Sequence, residues 1–521
     1  MQRLPLSRGK VLGGSSVLNF MLYTRGNPGD YERWVRDYGA TGWGYQEVLR
    51  HFKQIEDYHA GPVDQYHGSG GEVPVDHANT STLLSHLLLK ACNESGYSYV
   101  DFNGPTQTGC SRAQVDAASG ERFSSSKAFI QPIIRTRKNL HVALFSQVTK
   151  VNFEGSKAAG VSFTRYGESQ KVLAGREVIL SAGTVGSAQL LLLSGVGPRE
   201  QLERLKIPVV ADLPVGLNLQ DHEVLQMAPP VSMNVNAGIP PFGLKDVQQY
   251  DRNKTGTISI PTSTEFMQFL HTADNATDSD IPDIEIAPIS TSPASERFKA
   301  MMVELGLMPE AFDGIIGPRD GRLGFRGIVV LNQPKSRGSI TFRSADPNDD
   351  PDIDPRILEQ PDDVRRATEA SVLIASTRKF IDQVLGTEAM QSIGAKPWNV
   401  TFTPCAEAGA LWSQGYIECL FRHAAHTMWH MCCTVPMGSH AKAVLDERLR
   451  IEHHIFASTR IKTEHSRNGT LRRLERTDKR LELLLSINRQ KLSVYIVTRI
   501  LEKHATSFLN HIILKTLEIL F

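Results

Sequence analysis

The sequence predicts a globular chain of mixed helix and strand arranged in two domains. Three observations carry that prediction. The chain has 521 residues, too many for one hydrophobic core, so two domains, consecutive or interleaved in the sequence, are expected. Its 40% hydrophobic and 22% charged residues are ordinary for a soluble globular protein. Stretches with apolar residues at helical spacing alternate with short strand-like runs bounded by Gly, Pro and Asp.

The elements follow in order. RGKVLGGSSVLNFMLYTRG, residues 8–26, crowds two adjacent glycines and two serines beside an apolar run with one Asn. Gly13 and Gly14 mark either a sharp turn into a helix or a backbone that touches a ligand. Free amides there, with the Ser15 hydroxyl, suit a phosphate or a flavin edge. WVRDYGATGWGYQEVLRHFKQIED is a Gly-rich break followed by a helix, and STLLSHLLLKACNES is a second helix. ERFSSSKAFIQPIIRTRKNLHVALFSQVTKVNFEG reads as a helix, then alternating strands. REVILSAGTVGSAQLLLLSGVGP, residues 176–198, is the clearest unit. In it, VIL is a buried strand, SAGTVGSA a small-residue turn, and QLLLL a helix stopped by Gly195, Gly197 and Pro198. Residues 223–331 are richer in Pro, Asp and Ser, and LNQPKSRGSITFRSADPNDDPDIDP then resumes alternating strands. From Phe456 onward the chain has no Pro, one Gly, and 13 Lys+Arg against 6 Asp+Glu, a shift that marks a boundary.

Composition excludes some function classes. A formal net charge of +1 gives no electrostatic case for nucleic acid. No apolar run is long enough to span a membrane, and MQRLPLSRG has no apolar signal core. Cys92, Cys110, Cys405, Cys419, Cys432 and Cys433 are spread too thinly to read as a disulfide framework. Sequons at Asn79, Asn93, Asn253, Asn275, Asn399 and Asn468 lean towards a secretory lineage.

HAAHTMWHMCC, residues 423–433, invites a metal reading, because His426 and His430 are four apart and would share a helical face. The Glu of HExxH is absent, and adjacent cysteines chelate zinc poorly, so no metal is expected. A catalytic base or a buried structural histidine remains. No GxSxG occurs, which argues against a serine hydrolase.

Taken together, these stretches resemble the glucose–methanol–choline oxidoreductase family of flavin-dependent enzymes, and within it the insect glucose-dehydrogenase-like branch. RGKVLGGSSVLNFMLYTRG looks like the first family signature and GTVGSAQLLLLSGVGP like the second. LPVGLNLQDH, QPKSRGSITF, WHMCCTVPMGS and AVLDERLRI match later blocks in the right order. The resemblance runs from about Leu6 to about Ile451. It implies an α/β fold with an FAD-binding domain assembled from separated segments and an α+β substrate domain around an antiparallel sheet. The expected boundaries are 1–222 for the first FAD-binding part, with a substrate-domain insertion near 60–110, then 223–332 for the substrate-domain segment. A second family part spans 333–453 and a divergent basic tail 454–521.

By the same resemblance, Gly13, Gly14, Ser15, Asn19, Phe20, Met21 and Leu22 line flavin and pyrophosphate, and Val148 meets the adenine side. His430 matches the family base that takes the hydroxyl proton as hydride passes to flavin N5. Leu18 stands where some members carry a flavin-linking His, so FAD is expected to be non-covalent. The implied substrate is an alcohol or sugar, the acceptor oxygen or a quinone, and the location extracellular, although no signal peptide is present.

Two departures qualify these expectations. The family's opening GxGxxG turn occurs nowhere in the sequence, so the first βαβ unit is expected to be lacking and FAD to be held weakly. The second active-site His or Asn has no match, and His453, His454 and His465 receive no role. The alternative is therefore an inactive truncated remnant or an interaction protein without FAD; a hydroxynitrile lyase is a third reading.

Overall fold

Our computed structural model describes residues 5–451, apart from 234–236, 240–241, 273–280, 291–298, 301–302, 304–308, 316–323, 358–368 and 400, together with 483–484. The basic tail, with His453, His454 and His465, otherwise lies outside the described residues. Asn27 opens helix α1 (Pro28–Tyr38). Its side chain accepts the Gly29 amide and its own amide donates to Asp30, while Gly39 at φ 68° ends the helix. Helix α2 (Tyr45–Ile55) buries Tyr45, Val48, Leu49, Phe52 and Ile55, one stripe at helical spacing. That stripe packs against Tyr23, Tyr31, Val73 and Val75. Within this layer Arg25 forms a buried ion pair with Glu56 at 2.5 Å.

Helix α3 (Leu83–Glu94) starts at Thr82, whose hydroxyl accepts the Ser85 amide. Strand β1 (Gly109–Arg112) is joined to it by a disulfide, Cys92–Cys110. Strands β2 (Ser146–Glu154), β3 (Lys157–Arg165) and β4 (Glu168–Leu173) then form an antiparallel meander. Tyr166 and Gly167, both at positive φ, make the two-residue turn that a right-handed hairpin twist requires. Helix α4 (Gly183–Leu193) lies on this meander through Leu190, which packs with Val148, Val161 and Phe163. Its other leucines are buried on every side, as a helix without a polar face must be.

The expected strand at residues 178–180 does not form: the segment pairs with no strand among the described residues, and its side chains are half-buried. A parallel strand needs ladder partners to satisfy its peptide groups. Here the triplet only packs, Val178 and Leu180 against the Val148–Leu190 cluster and Ile179 against Ile130.

The large sheet is antiparallel and comes mainly from the middle of the chain, as the family resemblance implies. Its strands are β5 (Glu223–Ser232), β6 (Phe266–Leu270), β7 (Ile284–Ile286), β8 (Gly324–Leu331) and β9 (Lys396–Pro397), in the order β9-β5-β8-β7-β6-β1. Helices α5 (Glu369–Lys379) and α6 (Gln414–Ala424) join α3 over the sheet, placing Leu373, Leu420 and Leu88 in one core with Phe325, Val329 and Leu331. Strand β10 (Ala425–Thr427) continues directly from α6 and pairs with the start of β5. A second disulfide, Cys405–Cys419, ties α6 to the turn at Thr403–Ala408. Four of the six cysteines are thus paired, which corrects the sequence reading. Separations of 18 and 14 residues hide a proximity that only the packing of helices α3 and α6 creates.

Candidate active site

Two histidines meet because of a backbone ladder. Glu223 pairs with Thr427 and Val224 with His426, so the residues just outside that ladder, His222 and His430, fall side by side. The Met428 amide donates to the His222 carbonyl at 3.1 Å, extending the ladder. The two Nδ1 atoms lie 3.1 Å apart and the rings cross at 73°. The Asp221 carboxylate accepts the His430 amide at 2.9 Å and the Thr427 hydroxyl. Thr427 Oγ1 in turn accepts the Trp429 amide at 2.8 Å. Trp429 sits at φ 58°, a left-handed value that is costly for a bulky residue and common at functional sites. That turn, with the strand before it, abolishes the helical face that His426 and His430 would share. Among the described residues, the group with metal-ligand proximity is Cys405, Cys419 and His423, and its two sulfurs are joined as a disulfide.

Electrostatics hold both rings neutral. Burial first, and the Arg8 charge second, push His430 down to about 4. Burial, then His430, push His222 down to about 3. Burial raises Asp221 to about 6, although bonds from Thr427 and from the His430 and His222 amides oppose it. Two neutral imidazoles joined through Nδ1 share one proton, so one ring is the Nδ1–H tautomer and the other accepts it. If His430 carries that proton, its Nε2 presents a lone pair.

The glycine segment reaches this histidine pair from its N-terminal side. Arg8 Nη1 donates to the Trp429 carbonyl at 2.7 Å, and Trp429 Nε1 donates to Pro5 at 3.0 Å. Gly13 lies at φ 103° and Gly14 at φ 57°. A Cβ on Gly14 would meet nothing within 4 Å, so its bare backbone faces open space. Ser15 accepts the Gly9 amide at 3.1 Å, leaving its own hydroxyl proton to donate. Arg122 fixes the Asn19 side chain at 2.6 Å, and Asn19 Oδ1 also accepts the Met21 amide at 3.3 Å. Met21, at φ 60°, accepts the Asp116 amide at its carbonyl at 2.9 Å, and Leu22 bridges to Val115. Gly13 and Ser16 are buried, Phe20, Met21 and Leu22 are half-buried, and Leu18 is 57% exposed, so the segment turns mainly apolar side chains outward. Helix α4 closes the back: the Thr184 hydroxyl donates to Met431 at 2.6 Å, and Thr434 donates to the Thr184 carbonyl at 2.8 Å.

Arg8, five residues ahead of Gly13, thus reaches the residue before His430 and places its charge near that ring. The Val148 side chain is buried in the meander core with Val161, Phe163 and Leu190. Asp221, His222, Thr427 and Arg8 carried no expectation from the sequence. The available signal was LQDH immediately ahead of a strand, which reads only as part of a family block until the ladder register is known. The apolar side chains between Val17 and Leu22, with the Ser15 hydroxyl as donor, suit a flavin edge; the Gly14 amide is already given to the Val11 carbonyl at 2.9 Å. No helix among the described residues is long and apolar enough to cross a membrane.

Two family models described as GMC oxidoreductase match residues 1–224 and 334–454. A glucose dehydrogenase [FAD, quinone] of Drosophila pseudoobscura pseudoobscura is 36% identical over 86% of this chain and 69% of its own length. An ecdysone oxidase of Spodoptera littoralis is 32% identical over 87% of the chain and 73% of its own. Among solved structures, pyridoxine 4-oxidase from Mesorbium loti superposes with a TM-score of 0.67 at 25% identity, covering 85% of this chain and 77% of that one.

Proposed function

The chain belongs to the GMC oxidoreductase family, and on that premise we propose that His430 is the base of an FAD-dependent oxidation at the CH–OH group of an alcohol or sugar. FAD, when bound, supplies the hydride acceptor. Everything else is the work of the chain's own side chains. His430 Nε2 takes the hydroxyl proton of the donor, which requires the Nδ1–H tautomer. His222 Nδ1, at 3.1 Å, accepts that proton's hydrogen bond and selects the tautomer. When His430 becomes imidazolium, the same bond becomes charge-assisted. Asp221 holds the His430 backbone, and Thr427 holds Asp221. The observation that carries the reading is the histidine pair, both members held neutral at neutral pH.

Gly13, Gly14, Ser15, Asn19, Phe20, Met21 and Leu22 form the cofactor wall in this proposal. Val148 meets the adenine side through its main chain only. Leu18 offers no ligating atom, so FAD is held non-covalently. The segments 1–222, apart from the insertion near 60–110, and 333–453 supply the FAD side in this proposal, and 223–332 supplies the centre of the substrate side, to which α3, β1, α5, α6 and β9 add their faces and edges. Oxygen or a quinone takes the electrons. Secretion fits the two disulfides and the exposed sequon asparagines Asn79, Asn93, Asn253 and Asn399.

The test is spectroscopic. The purified chain is incubated with FAD, desalted and scanned in the visible. A retained flavin band that bleaches anaerobically on adding an alcohol or sugar supports the proposal. A chain that stays colourless after FAD addition sinks it and favours an interaction role.

A further inference from the structure

Two cysteines remain outside the disulfides, and they are neighbours in sequence: Cys432 and Cys433. Their sulfurs are 2.8 Å apart, longer than an S–S bond of about 2.05 Å but short enough that little movement separates the two states. The backbone around them is held on both sides. Cys432 exchanges two hydrogen bonds with Gln220, at 2.9 and 3.1 Å, and the Thr434 carbonyl accepts the Gly216 amide at 2.8 Å. Cys433 adopts φ 68°, a left-handed conformation that a cysteine takes only under local constraint. Cys432 is buried and Cys433 is part-exposed, so a reagent meets Cys433 first. The other four cysteines are already oxidised in pairs, so an oxidising environment suits this chain.

We propose that Cys432 and Cys433 are a redox-active vicinal dithiol that closes to an intrachain disulfide by exchange with a small-molecule disulfide. The Cys433 thiolate attacks one sulfur of the small disulfide; a mixed disulfide forms and one thiolate leaves. The Cys432 sulfur then attacks Cys433 Sγ, the mixed disulfide breaks, and the second thiol leaves with the proton balance restored. The protein loses two electrons and two protons, and one small disulfide becomes two thiols. The contact with Cys433, then burial, push the Cys432 thiol well up, so Cys432 is the resolving and not the attacking member. Adjacent Cα atoms are about 3.8 Å apart, below the roughly 4.4–6.8 Å that disulfides prefer, so the closed pair is the most readily reduced of the three.

The experiment needs no substrate and no flavin. The full chain, mildly reduced, is treated with oxidised glutathione, quenched with iodoacetamide, digested and weighed. The peptide holding both cysteines should escape alkylation, carry no glutathione and weigh two hydrogens less. Cys432→Ser should instead retain one glutathione on Cys433, and Cys433→Ser should take up none. In a dithiothreitol titration the vicinal pair should open before Cys92–Cys110 and Cys405–Cys419. Alkylation of both cysteines after oxidation, a lasting glutathione adduct on the wild-type chain, or opening of the pair after the other two disulfides would overturn the proposal.

Discussion

Replacing His222 by Phe removes the acceptor 3.1 Å from His430 Nδ1 and keeps a ring of similar size in its buried place. Without that acceptor, the His430 Nδ1 proton has no fixed partner and the reactive tautomer is no longer selected. The imidazolium formed on proton abstraction also loses a charge-assisted bond. Such bonds contribute about 1.5–3 kcal/mol, which corresponds to roughly ten- to a hundred-fold in kcat/KM. His222→Asn is the matched control, since its Oδ1 can sit near the lost Nδ1 and accept the same proton. The assay is kcat/KM of the FAD-loaded chain against pH, with an alcohol donor and an artificial acceptor, at equal flavin content. His222→Phe should lower the plateau and move the acid limb to lower pH, because protonated His430 is less stabilised. His222→Asn should recover most of the rate and the limb. Equal losses in both variants, or a Phe variant within about two-fold of wild type, would refute the tautomer argument.

Other outcomes follow from the same geometry. His430→Ala should retain FAD, read by its visible spectrum, yet lose at least about a hundred-fold in turnover. Both histidines are depressed from 6.5, to about 3 and about 4. The stability they support is present above their unfolded value and is lost as pH falls through the folded values. Asp221, raised to about 6, acts in the opposite sense below that pH, but two groups outweigh one. Melting temperature should therefore fall from pH 7 towards pH 4, less steeply in His430→Ala. Glu56→Gln strands the buried Arg25 guanidinium and should cost about 3–5 kcal/mol in urea unfolding. Joint replacement of Arg25 and Glu56 by apolar residues should recover only part of that loss, because the Gly68 amide, the His67 ring and the Tyr66 carbonyl would lose their partners.

Local physics made some of this molecule legible. The leucine spacing of residues 83–94 and the helix ended by Gly195 are statements about neighbours in sequence, and they stand in the structure. Residues 178–180 show the limit: β-branched, apolar composition licenses a strand, but a strand exists only where a ladder partner is present. HAAHTMWHMCC failed in another way. The four-residue spacing of two histidines suggests a helix, and Trp429 at φ 58° breaks it. His222 and Asp221 were invisible because their importance is a matter of register between segments about two hundred residues apart, as the separation of 208 between the two histidines shows. Arg8 likewise looks like one more surface cation until its bond to the Trp429 carbonyl is seen.

The ladder between β5 and β10 has a consequence for how such a site can diverge. The distance between the two imidazoles is counted in whole residues, because β-register moves only in whole steps and each step turns every side chain to the opposite face. Side chains along either strand can therefore change gradually. Lengths cannot: one residue inserted between Asp221 and Leu225, or between Ala425 and His430, carries one ring away from the other. Relatives that keep this pair should show gaps on both sides of these two short runs and none inside them.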